Sequence, residues 1–168
     1  MNKGYQRLEV AANIMIIVVA LAFGGVLVQK YFIKAAVSKQ PDQLQPSIGA
    51  KMNLSDVNWS EKPKTLILAL QTTCHFCNES APFYKRIIET VQNKNVKLVA
   101  VFPTGIEEGK EHLTKLGLNN IEVKQSPLNE IQVSGTPTLI LTNEKGEITD
   151  SWIGKLSPDK EKEVLNKL

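Results

Sequence analysis

The two cysteines of this chain are three residues apart, in the segment Cys74-His75-Phe76-Cys77, and they follow an apolar run over residues 65–70. That run predicts a short buried strand, and the apolar side chains that recur after residue 79 predict a helix. Cys74 therefore falls at or just before a helix N-terminus, where free N–H groups and the helix dipole favour a thiolate over a thiol. Cys77 lies one turn further in and is expected to be less exposed. This spacing and context predict a redox-active dithiol that can close a disulfide.

Three other interpretations of the cysteine pair fit less well. A disulfide between residues three apart closes a small loop and removes little entropy from the unfolded chain, so a purely structural disulfide is a weak explanation. Structural zinc usually takes four Cys or His ligands, and besides this pair the sequence offers only His75 and the distant His112. An incidental pair is the third interpretation. We predict no metal site and assign Cys74 and Cys77 as the catalytic pair.

A second motif, Gly135-Thr136-Pro137-Thr138, precedes an apolar run over residues 139–141. Together with the cysteine pair, it resembles the thioredoxin superfamily, whose members carry a cis-proline directly before a central strand, facing the dithiol. X-Pro bonds adopt the cis form at low cost, and a proline that begins a strand lacks the N–H that a ladder would require. The dipeptide alone would favour a trans turn. The resemblance implies that the Thr136-Pro137 bond is cis and that both residues align a substrate chain beside the sulfurs.

Further residues extend the resemblance over roughly residues 49–168. Pro82 stands where thioredoxin-like proteins keep a helix-kinking proline, residues 128–137 resemble the approach to the cis-proline strand, and residues 143–147 resemble the hairpin turn that follows. Within the superfamily, the chain most resembles membrane-anchored extracytoplasmic reductases of the TlpA/ResA type. The resemblance implies a thioredoxin-like α/β fold, with a mixed sheet covered by helices on both faces, and disulfide chemistry that needs no bound cofactor.

Three positions depart from the pattern of these relatives. Thr73 stands directly before the first cysteine, where the family usually has tryptophan, so an aromatic platform for partner docking is missing. Many of the reductases have a glutamate three residues after the second cysteine, where this chain has Ser80, with Glu79 one position early. Thioredoxins place a buried aspartate on the preceding strand, at the position of Leu68. The carboxylate that would take the proton of the second cysteine is therefore absent at both places.

Residues 10–28 are apolar throughout except for Asn13, and a helix of that length reaches about 28 Å, close to the hydrocarbon thickness of a bilayer. The run predicts a transmembrane signal anchor that follows a cytoplasmic N-terminal segment, residues 1–9. Basic residues on both sides of the run give only a weak orientation preference. A cleaved signal peptide is the alternative, since Ala20-Leu21-Ala22 resembles a cleavage site, but the apolar run continues beyond it. We expect the C-terminal domain outside the cytoplasm, on a cell membrane that this layout suggests is bacterial.

Residues 29–49 lack periodicity and are rich in Gln and Pro, so they predict a linker. Residues 50–168 are enough for one hydrophobic core and not for two. Fifteen Lys and Arg residues balance fifteen Asp and Glu residues in this domain, so the chain's net charge of +3 lies in the first 49 residues. A neutral domain without a clustered basic face argues against nucleic acid as a partner.

The domain alternates between strand and helix patterns. Predicted strands cover residues 52–57, 65–70, 96–102, 121–123, 138–142 and 147–153, and predicted helices cover residues 78–92, 106–116 and 158–167. Thr104-Gly105-Ile106-Glu107 matches a capping box, Gly117 is an expected C-terminal cap, and Ser157-Pro158 is an expected helix start. This order predicts a mixed sheet that carries an extra helix-strand insert near residues 104–124.

The two residues between the cysteines give less decisive signals. His75 adjoins Cys74, and a partly protonated imidazole there would stabilise the thiolate. His75 could equally be an exposed loop residue without a partner. Phe76 replaces the proline or polar residue of better-known dithiol motifs and is expected to contact a partner protein. Both are candidate substrate-binding residues.

These observations predict a membrane-tethered thiol-disulfide oxidoreductase whose partners are protein thiols and disulfides, with its redox donor or acceptor protein left open. Two alternatives use the same cysteines. A peroxiredoxin-like peroxidase typically presents a threonine three residues before its reactive cysteine, where this chain has Gln71. A non-enzymatic copper carrier or assembly factor would exploit the affinity of soft thiolates for Cu(I), but the sequence shows no third ligand.

Overall fold

The computed structural model describes residues 15–17, which are helical, and residues 45–168. The predicted anchor over residues 10–28 lies outside these ranges apart from three residues, as do the predicted N-terminal segment and most of the predicted linker. Among the described residues, no helix combines the length and the apolar character needed to cross a membrane.

Residues 45–168 form a five-stranded mixed sheet with four α-helices. Neighbouring strands lie in the order β3-β2-β1-β4-β5; β1, β2 and β3 are parallel, and β4 runs antiparallel to both β1 and β5. The predicted mixed sheet is therefore confirmed. The strands are β1 Lys64–Ala69, β2 Val96–Phe102, β3 Glu122–Gln125, β4 Thr138–Asn143 and β5 Ile148–Ile153, and the helices are α1 His75–Glu79, α2 Ala81–Asn93, α3 Ile106–Lys115 and α4 Pro158–Lys167.

Strand β1 lies at the centre of the sheet because apolar side chains occupy both of its faces. Leu66 and Leu68 belong to one buried cluster, and Ile67 and Ala69 belong to the other. A strand that is apolar on both sides can be buried between two layers. Because β1 is the central strand, the dithiol that follows it lies beyond the carboxyl end of β1, in the middle of the sheet.

Three helices cover one face of the sheet, where buried side chains of α2, α3 and α4 share one cluster with the strands. Gly109 marks the closest approach of α3, since a Cβ atom there would lie 2.6 Å from Phe102 Cδ2. The expectation of helices on both faces is wrong: within residues 45–168, the opposite cluster contains no α-helical residue. The crossovers from β1 to β2 and from β2 to β3 step across the sheet in one direction, and right-handed crossovers then place both helices on the same face.

Irregular segments cover the opposite face. Met52 and Leu54 pack there together with Ile131 and Val133. The strand predicted over residues 52–57 is wrong, since the described chain forms only an isolated bridge between Lys51 and Glu147 in this region and then turns at residues 55–56. Met52 and Leu54 alternate because both side chains pack onto the sheet, and not because their backbone pairs with another strand.

The helix predicted over residues 78–92 begins earlier and is interrupted. It starts at His75, ends as α1 at Glu79 and resumes as α2 after Ser80. Pro82 explains the interruption, because it has no N–H to continue the helical hydrogen bonds and its ring crowds the preceding turn. The predicted kink at this proline is confirmed.

The ends of α3 confirm one predicted cap and contradict the other. Gly105, and not Thr104, is the N-cap of α3, and it makes no side-chain capping bond. The capping-box prediction is therefore wrong. Gly117 has φ +69°, and the N–H of Leu118 donates to the carbonyl of Leu113 at 2.9 Å. This is the hydrogen bond of a Schellman motif, for which glycine is the favoured residue.

Two other predicted local features are confirmed. Ser157 is the N-cap of α4, with proline at the first helical position. The hairpin between β4 and β5 turns at Asn143–Gly146, where Gly146 donates to the Asn143 carbonyl at 3.0 Å and has φ +76°. This hairpin brings the start of β4 and the end of β5 beside the carboxyl end of β1, where the dithiol lies.

Candidate active site

Cys74 and Cys77 form a disulfide at the start of α1, with their Cα atoms 5.2 Å apart. Cys74 is the N-cap residue, and its Sγ accepts a hydrogen bond from the Cys77 N–H at 3.1 Å. Cys77 is fully buried, whereas Cys74 is partly exposed. A sulfur at a helix N-cap that accepts an N–H is stabilised as a thiolate, so Cys74 is the sulfur that is both reachable and activated.

The segment before β4 lies directly against this sulfur. The Thr136-Pro137 peptide bond is cis, as the resemblance implied, and the Thr136 carbonyl oxygen lies 3.3 Å from Cys74 Sγ. The Pro137 carbonyl accepts from the Gly154 N–H at 2.7 Å, which ties this segment to the end of β5. The structure therefore brings Cys74, Cys77 and Thr136 together, with Pro137 as the next residue along the chain.

His75 and Phe76 both project from the first turn of α1 toward solvent. Phe76 is 54% exposed, and its ring centroid lies 5.8 Å from that of His75. The His75 Nε2 atom lies 3.1 Å from Glu79 Oε1, so the imidazole has a partner one turn along the helix. An exposed phenylalanine beside a reactive disulfide is available for contact with another polypeptide.

Glu79 links α1 to the chain after β5. Its Oε2 accepts a hydrogen bond from Lys155 Nζ at 2.8 Å, in addition to the His75 contact. The hydrogen bond from Lys155 lowers the pKa of the Glu79 carboxyl, so Glu79 is ionised at neutral pH. Since the lowered pKa belongs to the folded state, any contribution to stability is present above the unfolded pKa and is lost as the pH falls through the folded value.

The two positions at which the resemblance implied an acid are buried here. Leu68 is fully buried within the core of β1. Ser80 is 6% exposed, and its hydroxyl donates to the Phe76 carbonyl at 2.8 Å. Tyr84, one turn after Ser80, has a pKa raised by burial and so stays protonated. None of these three side chains is an ionised proton acceptor at neutral pH.

Two side-chain contacts that no sequence pattern predicted fix the loop before the dithiol. Gln71 Oε1 accepts a hydrogen bond from Thr136 Oγ1 at 3.1 Å, and Thr72 Oγ1 donates to Glu108 Oε1 at 3.0 Å. The only local signal was a polar run between the apolar strand and Cys74. The partners of this run are 65 and 36 residues away, and local periodicity carries no information about contacts at such separations.

No family model matches the sequence, and no curated protein matches it. Solved structures do match. A candidate thiol:disulfide interchange protein, DsbE, from Chlorobium tepidum is 15% identical and aligns over 73% of this chain and 96% of its own, with a TM-score of 0.58. StoA from Bacillus subtilis is 21% identical over 71% of this chain and 97% of its own, with a TM-score of 0.52.

A thiol-disulfide isomerase from Corynebacterium glutamicum is 16% identical and aligns over 79% of this chain and 97% of its own, with a TM-score of 0.55. The fold is thioredoxin-like. This confirms the fold expected from the cysteine pair and the Thr136-Pro137 motif. At such identities the likeness establishes the thioredoxin-like fold alone.

Ser80→Glu is expected to accelerate resolution of a mixed disulfide near neutral pH. The substitution places a carboxyl one helical turn after Cys77 in a buried setting, which raises the carboxyl pKa toward neutrality and suits a general base. We expect about a tenfold gain in the rate at which the mixed disulfide is resolved. Some stability is lost because the hydrogen bond from the Ser80 hydroxyl to the Phe76 carbonyl is removed. Stopped-flow mixing of reduced protein with an aromatic disulfide measures this rate, since release of the second coloured thiol reports attack by Cys77.

Two variants control this measurement. Ser80→Gln introduces a side chain of the same size without a carboxyl and is expected to give no gain. Glu79→Gln is expected to change the rate little, because the Glu79 carboxylate is held by Lys155 and His75 on the exposed side of α1. A large loss of rate in Glu79→Gln would identify Glu79 as the proton acceptor and contradict this prediction.

Proposed function

We propose that the chain is a thiol-disulfide oxidoreductase that exchanges disulfides with protein partners. The observation that supports it most directly is the joint placement of three groups: a partly exposed N-cap residue at Cys74, a buried second cysteine at Cys77, and the Thr136 carbonyl 3.3 Å from Cys74 Sγ. The names of the matched solved structures, which include a thiol:disulfide interchange protein and a thiol-disulfide isomerase, agree with this chemistry.

The reaction follows from the different exposure of the two sulfurs. The Cys74 thiolate attacks one sulfur of a partner disulfide, forms a mixed disulfide and expels the other partner sulfur as a thiolate. The Cys77 thiolate then attacks Cys74 Sγ and releases the second partner sulfur. The partner gains two electrons, and the dithiol is oxidised to the Cys74–Cys77 disulfide. Turnover in this direction requires an external dithiol donor, and oxidation of partners is the same sequence in reverse.

Protein contact is proposed to occur around Cys74, which is partly exposed. Phe76 presents an apolar ring beside Cys74, and Ile153, which is 39% exposed, lies opposite Thr138 at the end of β5. An extended partner segment that lies along Thr136 and Pro137 would have the apolar phenylalanine and isoleucine side chains available for contact. Phe76 and Ile153 would supply apolar contact at a site where Thr73 replaces the aromatic residue that the resemblance implies.

The fragment covering residues 45–168 is expected to accelerate reduction of insulin disulfides by a small dithiol. The fragment contains the described sheet, all four helices and both cysteines, so the exchange chemistry should survive without the N-terminal residues. Parallel assays of peroxide consumption and of copper stoichiometry separate the two alternative functions. Stoichiometric peroxide turnover, or tight one-to-one Cu(I) binding, without insulin reduction would replace the proposal.

We further propose that residues 10–28 anchor the chain in a cell membrane with the domain outside the cytoplasm. The support is the bilayer-length apolar run followed by a Gln- and Pro-rich linker. A reporter that is active only in the cytosol, fused after Leu168, is expected to be inactive, and one that is active only outside the cytosol is expected to work. The opposite pair of results would overturn this topology.

A further inference from the structure

We infer that Gln71 is a positioning residue that holds Thr136 against the Cys74 sulfur and thereby tunes how readily Cys74 ionises. The inference rests on the proposed function, because it assigns a role within the same dithiol site. It is carried by the hydrogen bond from Thr136 Oγ1 to Gln71 Oε1 and by the short distance between the Thr136 carbonyl and Cys74 Sγ.

Two groups act on Cys74 Sγ in opposite directions. The Cys77 N–H, 3.1 Å away, donates to the sulfur and favours the thiolate. The Thr136 carbonyl oxygen, 3.3 Å away, can only accept, so it favours a protonated thiol that donates to it and disfavours a thiolate. The balance between the two depends on how closely the Thr136 peptide is held.

The Thr136 peptide is held from several sides, and the hydrogen bond to Gln71 links it to residues 70–73, the loop between β1 and Cys74. Thr138 Oγ1 donates to the Gly135 carbonyl at 2.7 Å, which fixes the segment internally. The bond to Gln71 alone ties the Thr136 side chain to the loop that leads to Cys74 within the hydrogen bonds of the described residues. Gln71 follows Leu70, whose N–H donates to the Val101 carbonyl of β2 at 2.9 Å. This hydrogen bond fixes the backbone beside Gln71 to the sheet.

Charged groups near the dithiol are separate from this contact. His75 and Glu79 on α1, Lys155 after β5 and Glu108 on α3 face the same region, and each has its own partner. A substitution of Gln71 by an uncharged residue leaves all four in place. A change in the ionisation of Cys74 in such a variant therefore reports the Thr136 contact rather than an altered charge.

The test measures the pH dependence of Cys74 alkylation by iodoacetamide in a Cys77→Ser background, which keeps the backbone N–H of residue 77. Gln71→Leu removes the acceptor, and we expect the Cys74 thiol pKa to fall by about half a unit or more, which is about a threefold gain in alkylation rate below that pKa. Thr136→Val removes the donor and should give the same shift, and the two changes together should give no further shift. Thr136→Ser keeps the hydroxyl donor and should leave the Cys74 thiol pKa at the value that it has with Thr136.

Thr72→Val is the matched control, since it removes the other side-chain contact of the loop, to Glu108, without touching Thr136. It is expected to leave the Cys74 pKa unchanged. An unchanged pKa in both Gln71→Leu and Thr136→Val, or an equal shift in Thr72→Val, would overturn the inference. Alkylation needs no protein substrate, so a chain that fails to reduce insulin but shows the predicted shifts would refute the proposed function and leave the inference standing.

Discussion

Cys74→Ser is expected to reduce disulfide exchange to the uncatalysed background, whereas Cys77→Ser should still attack a disulfide and then stop at the mixed disulfide. The difference follows from burial and hydrogen bonding. Cys74 is partly exposed and accepts the Cys77 N–H at 3.1 Å, while Cys77 is fully buried. A partner sulfur can therefore reach Cys74, and Cys77 can reach only the sulfur that is already in the site.

Two measurements check these roles. Non-reducing electrophoresis after incubation with an oxidised protein should show trapped adducts for Cys77→Ser and none for Cys74→Ser. Timed alkylation of the reduced protein at neutral pH should label Cys74 first, because only a thiolate that is accessible reacts quickly. Faster labelling of Cys77 would show that the two roles are assigned the wrong way round.

The sequence predicted those parts of the fold and site that depend on neighbouring residues. The run over residues 65–70 is apolar on both faces, which is the pattern of a strand buried between two layers. Pro82 interrupts a helix through its own ring and missing N–H, and Gly117 supports a left-handed turn without any distant partner. The Thr136-Pro137 motif succeeded for a different reason, since its cis geometry was implied by resemblance and not by the dipeptide.

The remaining features depend on contacts between distant residues. Met52 and Leu54 alternate as a strand would, because period two reports which side chains are buried and not whether the backbone has a neighbouring strand to pair with. The contact of Gln71 with Thr136 joins two loops that meet only once the sheet has formed. Similarly, Lys155 and Glu79 are 76 residues apart in sequence, and a local sequence pattern carries no information about a contact at that separation.

Leu68→Asp is expected to lower the free energy of unfolding by about 4 kcal/mol or more at neutral pH. Leu68 is fully buried and lies between Ala100 of β2 and Leu139 of β4. Replacing it removes apolar packing at the centre of the sheet and places a carboxyl where no water is available to it. Urea titration of the reduced 45–168 fragment measures the loss.

The pH dependence of this loss separates charge from packing. Burial raises the pKa of a carboxyl in the folded state above the value of about 3.9 that aspartate has in an unfolded chain. Below that value both states are protonated, so the variant pays only for lost packing and an unpaired polar group. As the pH rises, the unfolded state ionises first, and the loss should grow by about 1.4 kcal/mol per pH unit until the folded pKa is passed.

Leu68→Asn is the control, because it has the same shape as the aspartate and cannot ionise. Its cost is expected to be large and independent of pH between 4 and 8, so the two variants should coincide in acid and diverge toward neutrality. Equal costs for Asp and Asn at pH 7 would mean that water or a cation reaches the interior beside Leu68. In that case the interior around Cys77 could take up a proton without a dedicated acid, and the expectation that Ser80→Glu accelerates resolution would lose its physical basis.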